Sequence, residues 1–209
     1  MNVFRKSKMW AAALALMLGV GLVAGCGGSK DAGKTAEVQG TVTAAGSTAL
    51  LPLLKSGQEE FQKKYAKVTV NIAGGGSFTG QNQVASGAVN IGNSDVAIQD
   101  SLKDKGLVEH KLVGIPFIFI VNKDVAVDNL TQQQYTDIMT GKITNWKEVG
   151  GKDQKITLIH RSKSSGSRAT IAEVVLKNAA FTDNAVIQDS NGAVRAAIAS
   201  TPGAIGYVD

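Results

Sequence analysis

Residues 38–44 alternate, with Val38, Gly40, Val42 and Ala44 interleaved by Gln39, Thr41 and Thr43. A period of two predicts a half-buried strand. Gly46 breaks it, and Ser47 or Thr48 is a good N-cap for the stretch that follows. There Leu50, Leu51, Leu54, Phe61 and Tyr65 fall near helical spacing, with Glu59, Glu60, Lys63 and Lys64 outward. Val68, Val70 and Ile72 alternate with Thr69 and Asn71, a second strand. After Gly74-Gly75-Gly76 come a short helix over residues 81–86 and a short buried strand over residues 89–92. Residues 101–106 are polar and turn-like. Residues 107–113 and 115–122 predict apolar strands, and the second is nearly continuous. A run apolar on both faces predicts a central, covered strand.

The second half repeats the alternation of elements. Thr131 with Gln134 three residues on has the spacing of a capping box and opens a helix to Met139, which Gly141 ends. Residues 143–151 read as loop carrying Asn145-Trp146, with the tryptophan as packing. Residues 156–160 predict a strand with Arg161 at its end. Residues 165–177 predict a helix with Ile171, Val174 and Val175 inward, and residues 191–200 another. Thr201-Pro202-Gly203 turns the chain into a last strand over residues 204–208. Strands and helices in alternation predict an α/β architecture, with sheets covered by helices. Such folds bind ligands beyond the carboxyl ends of their strands, where loops feed helix N-termini. Three Ser/Thr-Gly turns sit at such junctions: Gly46-Ser47-Thr48, Gly74-Gly75-Gly76-Ser77, and Ser164-Ser165-Gly166-Ser167.

The first 25 residues stand apart. Arg5, Lys6 and Lys8 precede an uncharged apolar run of roughly 17 residues, which reads as an export signal, with a single transmembrane anchor as the alternative. Val23-Ala24-Gly25-Cys26 resembles the lipobox of bacterial lipoproteins, which implies cleavage before Cys26 and lipid on its sulfur. A lone cysteine in an exported chain has no disulfide partner, and lipidation accounts for it. Residues 26–39 offer little to bury and predict a flexible tether. Arg5, Lys6 and Lys8 leave with the leader, which lowers the formal net charge from +5 to +2. With no basic cluster and no aromatic-basic interleaving, nucleic acid is not an expected partner.

The turns carry the candidate chemistry. A helix N-terminus leaves backbone N–H groups unpaired and bears partial positive charge, so an oxyanion binds there without a cationic side chain. Glycine lets the backbone come close, and Ser or Thr adds a hydroxyl donor. Arg161, at a strand end just before the third turn, can donate a bidentate pair to an anion, although position alone fits a surface arginine as well. Asp95, in Asn93-Ser94-Asp95, repels a fully ionised anion; an Asx turn would equally place it there. It suits an anion that keeps a proton, because a carboxylate accepts the O–H of hydrogen phosphate and finds nothing to accept from sulfate. Asp95 is thus the expected selectivity element.

Taken in order, Ala45-Gly46-Ser47-Thr48-Ala49-Leu50, Gly74-Gly75-Gly76-Ser77, Asn93-Ser94-Asp95, Gly141-Lys142-Ile143-Thr144-Asn145-Trp146, Arg161-Ser162-Lys163-Ser164-Ser165-Gly166-Ser167 and Gly203-Ala204-Ile205-Gly206-Tyr207-Val208 resemble the PstS family of phosphate-binding proteins of ABC transporters. The resemblance implies a periplasmic-binding-protein-like (type II) two-lobe α/β fold with mixed sheets and the ligand between the lobes. By it, Ser47, Thr48 and Ala49 form the first phosphate turn and Ser77 is the second donor. Asp95 is the carboxylate that accepts the phosphate proton. Arg161 pairs with the anion and with that carboxylate, and Ser165, Gly166 and Ser167 form the third turn. The family more often has Ser-Gly-Thr there; Ser167 keeps the hydroxyl. Arg168 is expected to face solvent. The expected organisation is leader 1–25, tether 26–39, first lobe 40–113 and second lobe 114–209. Family members usually continue past the Gly-Tyr-Val strand and return to the first lobe, so the chain reads as C-terminally short.

Other classes fit less well. A hydrolase elbow needs Gly-x-Ser-x-Gly, and Gly75-Gly76-Ser77-Phe78-Thr79 fails at its fifth position. Gly75 and Gly80 have P-loop spacing, but Gln81-Asn82 replaces the Lys-Ser/Thr pair. His110 and His160 are far apart and read as ordinary surface or sheet residues rather than metal ligands. The expected function is an extracytoplasmic lipoprotein that binds inorganic phosphate, needs no cofactor, and serves a membrane permease. A phosphate-ester hydrolase, or a phosphate scavenger or sensor outside transport, is the alternative.

Overall fold

A computed structural model describes residues 37–209. The leader and Cys26 lie outside the described residues. Two sheets organise the chain. The first is built from β1 (Gly40–Gly46), β2 (Val68–Ala73) and β3 (Ile91–Asn93) in the order β2-β1-β3, all parallel. The helices α1 (Leu51–Lys64) and α2 (Ser77–Ala85) form the crossovers. Small residues at the end of β1, Ala44 and Ala45, are buried, and Gly80 of α2 comes so near that an added Cβ would stand 2.4 Å from the Ala45 carbonyl oxygen. Only a glycine lets the helix lie this close to the strand end.

The second sheet has the order β4-β7-β5-β6, from β4 (Ile118–Val121), β5 (Thr157–Arg161), β6 (Val186–Gln188) and β7 (Ala204–Val208). β5 runs parallel to both β6 and β7, and β4 is antiparallel to β7, so the sheet is mixed. Leu158, Ile205 and Tyr207 face a core with Ile138, Met139 and Trp146, closed by α3 (Gln132–Met139). Ile159, Ala204 and Val208 face the opposite side, under Val194 and Ile198 of α5 (Asn191–Ser200). Period-two alternation along β5 therefore puts His160 with the first core and Arg161 on the α5 side.

Local signals are realised closely in several places. Thr131 and Gln134 make both bonds of the capping box. The ranges of α5 and β7 are those predicted. Trp146 is buried in a short 3-10 turn (Trp146–Val149) and donates its indole N–H to the Gly203 carbonyl at 2.9 Å.

Other expectations fail for identifiable reasons. Residues 107–117 form no strand, and Val108 and Leu112 are largely exposed. The apolar run after them is an edge rather than a central strand: β7 is the only strand paired with β4 among the described residues, and Ile118 is 50% exposed. Hydrophobicity alone does not choose a strand's neighbours. Phe61 is 42% exposed on α1, which packs mainly against β2. α2 starts at Ser77 rather than at residue 81, since Gly76 supplies the non-helical φ of 91° at its N-cap. The predicted helix after the third turn is α4 (Gly166–Thr170) running into a π turn (Ile171–Val175). The wider turn rotates Val174 outward while Ile171 and Leu176 stay buried. The strand predicted at 89–92 is displaced to 91–93, and β6 had no signal in the pattern.

Candidate functional site

The carboxyl ends of β1, β2 and β5 carry the three turns, and those of β3 and β7 lead into Asp95 and Asp209. Ser47 follows β1 directly and is buried. It does not cap α1, whose N-cap is Leu50; its hydroxyl instead accepts the N–H groups of Ala49 and Leu50 at 3.2 and 3.3 Å. That hydroxyl also donates to Asp95 Oδ1. Ser77, the first residue of α2 and buried, donates to Asp95 Oδ2 at 3.0 Å and accepts the Asp95 N–H at 3.0 Å. Both oxygens of Asp95 are thus held by hydroxyls from separate elements. A carboxylate has about four acceptor positions, so room for a further O–H remains.

Asp95 sits on a loop after β3 that Gln81 holds in place. The buried Gln81 donates to Ser94 Oγ at 2.8 Å and to the Ala97 carbonyl at 2.9 Å, and accepts the Gln99 N–H at 2.9 Å. Ser77 and Gln81 are one helical turn apart and so share a face of α2, a spacing that could have signalled their joint task.

Arg161 ends β5 and is 2% exposed. Its Nη1 donates to Ser167 Oγ at 3.2 Å and Asn191 Oδ1 at 3.0 Å, and its Nη2 to Thr48 Oγ1 and the Asp189 carbonyl, each at 3.2 Å. Its Nε is buried without a partner. Asp95 is not among its hydrogen-bond partners; the two act on each other through charge. Ser165 caps α4, accepting the Arg168 N–H at 3.2 Å, and Gly166 packs so tightly that an added Cβ would lie 2.4 Å from Ser77 Oγ. The turn after β5 also touches the glycine run: the Ser164 carbonyl accepts the Phe78 N–H at 3.0 Å, and its hydroxyl donates to the Gly75 carbonyl at 2.9 Å. All nine predicted site residues lie in this region.

Two residues join that sequence reasoning missed. Asp209, just past β7, accepts from Ser167 Oγ at 2.9 Å to each carboxylate oxygen and from Asn191 Nδ2. Asn191 opens α5, and its N–H reaches Thr48 Oγ1 at 3.3 Å. Their position past a strand's carboxyl end and at a helix start was the available signal. Arg168 does not project into solvent: it stacks 4.2 Å from the Phe181 ring and donates to the Arg161 carbonyl at 2.9 Å.

Burial raises the Asp95 pKa, the hydroxyl of Ser47 opposes this, and the Asp209 charge adds to it. Burial pulls the Arg161 pKa down, against the nearby Asp209 carboxylate. His160 is buried with neither ring nitrogen bonded, and desolvation lowers it to about 4. It touches Phe181 edge-on, not a serine. Among the described residues no group of three or more His, Cys, Asp or Glu is placed to hold a metal ion. The arrangement offers several hydroxyls, a guanidinium and two carboxylates, Asp95 and Asp209, a set of donors and acceptors suited to an oxyanion that keeps a proton.

The family model described as PBP superfamily domain matches residues 32–209. The Phosphate-binding protein PstS of Bacillus subtilis is 39% identical over 197 residues, covering 90% of this chain. The chain spans 65% of that protein's length. A crystal structure from Clostridium perfringens, described as a candidate phosphate ABC transporter substrate-binding protein with bound phosphate, is 32% identical with a TM-score of 0.76; it aligns with 81% of this chain and 70% of its own. An ABC-type phosphate transport receptor of Vibrio cholerae is 27% identical with a TM-score of 0.61, covering 80% and 70%. With its two-sheet α/β fold and a family match over all of the described residues, the chain belongs to the PBP superfamily and to the PstS-type proteins within it.

Proposed function

We propose that this chain captures inorganic phosphate in the hydrogen phosphate forms, outside the cytoplasm, and passes it to the membrane permease of a phosphate ABC transporter. The observation that carries the reading is the meeting of Arg161 with Thr48, 113 positions away, beside an Asp95 held by Ser47 and Ser77. Cation and carboxylate then flank one place, and donors from the three turns surround it. A tetrahedral anion there takes donor hydrogen bonds from Ser47, Thr48, Ala49, Ser77, Arg161, Ser165, Gly166 and Ser167, and gives its own proton to Asp95. The unpartnered Nε of Arg161 is a buried donor that a ligand oxygen would satisfy.

Residues 40–113 and 114–209 act as two lobes that close on the ligand, and the contacts of Ser164 with Gly75 and Phe78 belong to the closed form. Cys26 carries the lipid that tethers the protein to a membrane surface. The relatives' names support the ligand and the transport setting. In this reading the chain is a binder, not a phosphate-ester hydrolase: the carboxylates of Asp95 and Asp209 hold the serine hydroxyls as donors, and the only described imidazole near the site, His160, makes no hydrogen bond. Isothermal calorimetry tests it: phosphate binds and sulfate binds far more weakly. Equal affinity for the two anions sinks the selectivity argument, and release of product from a chromogenic phosphate ester favours the enzyme.

A further inference from the structure

Asp209 is a second carboxylate in a site built for an anion. β5 and β7 are paired with Ile159 beside Gly206, so both strands deliver their ends, Arg161 and Asp209, to the same edge. Asp209 takes the hydroxyl of Ser167 at 2.9 Å and the amide of Asn191, and both of these side chains are more than nine-tenths buried. The same two side chains hold Nη1 of Arg161 at 3.2 and 3.0 Å. Two neutral donors beside a guanidinium make an oxyanion subsite, and here a protein carboxylate fills it.

We propose that Asp209 is a resident competitor for the ligand: it occupies the donors Ser167 and Asn191, and its charge opposes a second anion, so it holds the site's affinity below what its donors alone would give. This rests on the anion-binding reading above. Arg161 offers one positive charge against the negative charges of Asp95 and Asp209. An incoming anion therefore meets a carboxylate already drawing on the charge of Arg161, and it must displace Asp209 from Ser167 or share that hydroxyl. The opposite role is a clamp, in which Asp209 steadies Ser167 and Asn191 and so steadies Arg161. The two roles predict opposite signs.

Phosphate is titrated by calorimetry into the full chain, Asp209→Asn and Asp209→Ser, with circular dichroism confirming the fold of each. Asn keeps the shape without the charge; Ser also withdraws the side chain, and serves if the Asn variant does not fold. The competitor role predicts roughly tenfold tighter phosphate binding in the variants, about 1.4 kcal/mol. Unchanged or weaker binding, with the native chain still binding, overturns the Asp209 assignment alone. Binding by the variants but not by the native chain supports both the competitor and the phosphate reading. Binding by none of the three chains overturns the phosphate reading and this inference with it.

Discussion

Arg161 Nη2 donates to Thr48 Oγ1 at 3.2 Å, joining the end of β5 to the turn after β1. The same threonine oxygen also accepts the N–H of Asn191 at 3.3 Å. One hydroxyl from the first sheet's side is thereby held by two elements of the second. Arg161 in turn spans Thr48, Ser167 and Asn191 at once, which needs the planar fork of a guanidinium.

Replacing Arg161 by Lys keeps the charge and loses the fork. A single ammonium cannot hold both Thr48 and the Ser167–Asn191 pair in their present directions. Phosphate affinity is expected to fall on the order of a hundredfold, measured by calorimetry. Binding within a few-fold of the native chain would show that point charge suffices and that the fork is incidental.

Asp95→Asn separates the proton acceptor from the rest of the site. Asparagine keeps the shape and can still accept from Ser47 or Ser77, but its amide donates where the carboxylate accepts. The preference for phosphate over sulfate should drop about tenfold or more, from the 1–3 kcal/mol cost of an unsatisfied buried polar group. Competition titrations with the two anions measure the ratio, and an unchanged ratio removes Asp95 as the selectivity element.

Gly166→Ala tests the tightness of the third turn. The new methyl would stand 2.4 Å from Ser77 Oγ and 3.1 Å from Asp95 Oδ2, so those side chains must shift. The backbone there carries no positive-φ requirement, so the effect is steric. Overpacking of about 1–3 kcal/mol should weaken phosphate binding roughly tenfold or more. The melting temperature should change less than for a core substitution of equal size. A variant that binds normally would show that Gly166 does not need to approach Ser77 in the bound state.

His160 sets a pH dependence of stability. Its folded pKa is about 4, below the ordinary 6.5, because burial disfavours the charged ring and Arg168 lies near. Between those values the unfolded chain binds the proton and the folded chain does not. The stability contributed by keeping the ring neutral is therefore whole above pH 6.5 and is lost as the pH falls toward 4. The loss amounts to up to about 3 kcal/mol. Asp95, with its raised pKa, contributes with the opposite sign, so the difference between native chain and His160→Phe isolates the histidine. As the pH falls across this range, the melting temperature of the native chain should drop more steeply than that of His160→Phe; parallel slopes would contradict the assignment.

Much of the local structure was legible because it depends on residues a few positions apart. Thr131 and Gln134 make a capping box by their spacing alone, and α5 and β7 follow from periodicity and a Pro-Gly turn. The chemical character of Ser47, Ser77, Asp95, Arg161 and Ser167 was likewise readable, since hydroxyl, carboxylate and guanidinium keep their donors and acceptors in any fold. Periodicity could not say which strand neighbours which. The apolar run at 115–122 therefore looked central, yet β4 lies at an edge with Ile118 half exposed. It could not foresee the π turn that turns Val174 outward either, because that depends on packing around Ile171 and Leu176.

The amino-acid sequence by itself determined most of the order of strands and helices, β6 and the strand expected at 107–113 apart, together with the three donor-bearing turns and the pairing of an acid with a cation as candidate chemistry. Only the tertiary structure decided that these parts meet. Thr48 and Arg161 are separated by 113 positions, and Thr48 and Asn191 by 143. Contacts at such range follow from sheet order and register, which no local pattern encodes. The same folding brought Asn191 and Asp209 to the site and gave Asp95 its two hydroxyl partners. It is packing that sets the charge balance an incoming anion meets, because the interaction of two charges depends on their distance and burial rather than on their place along the chain.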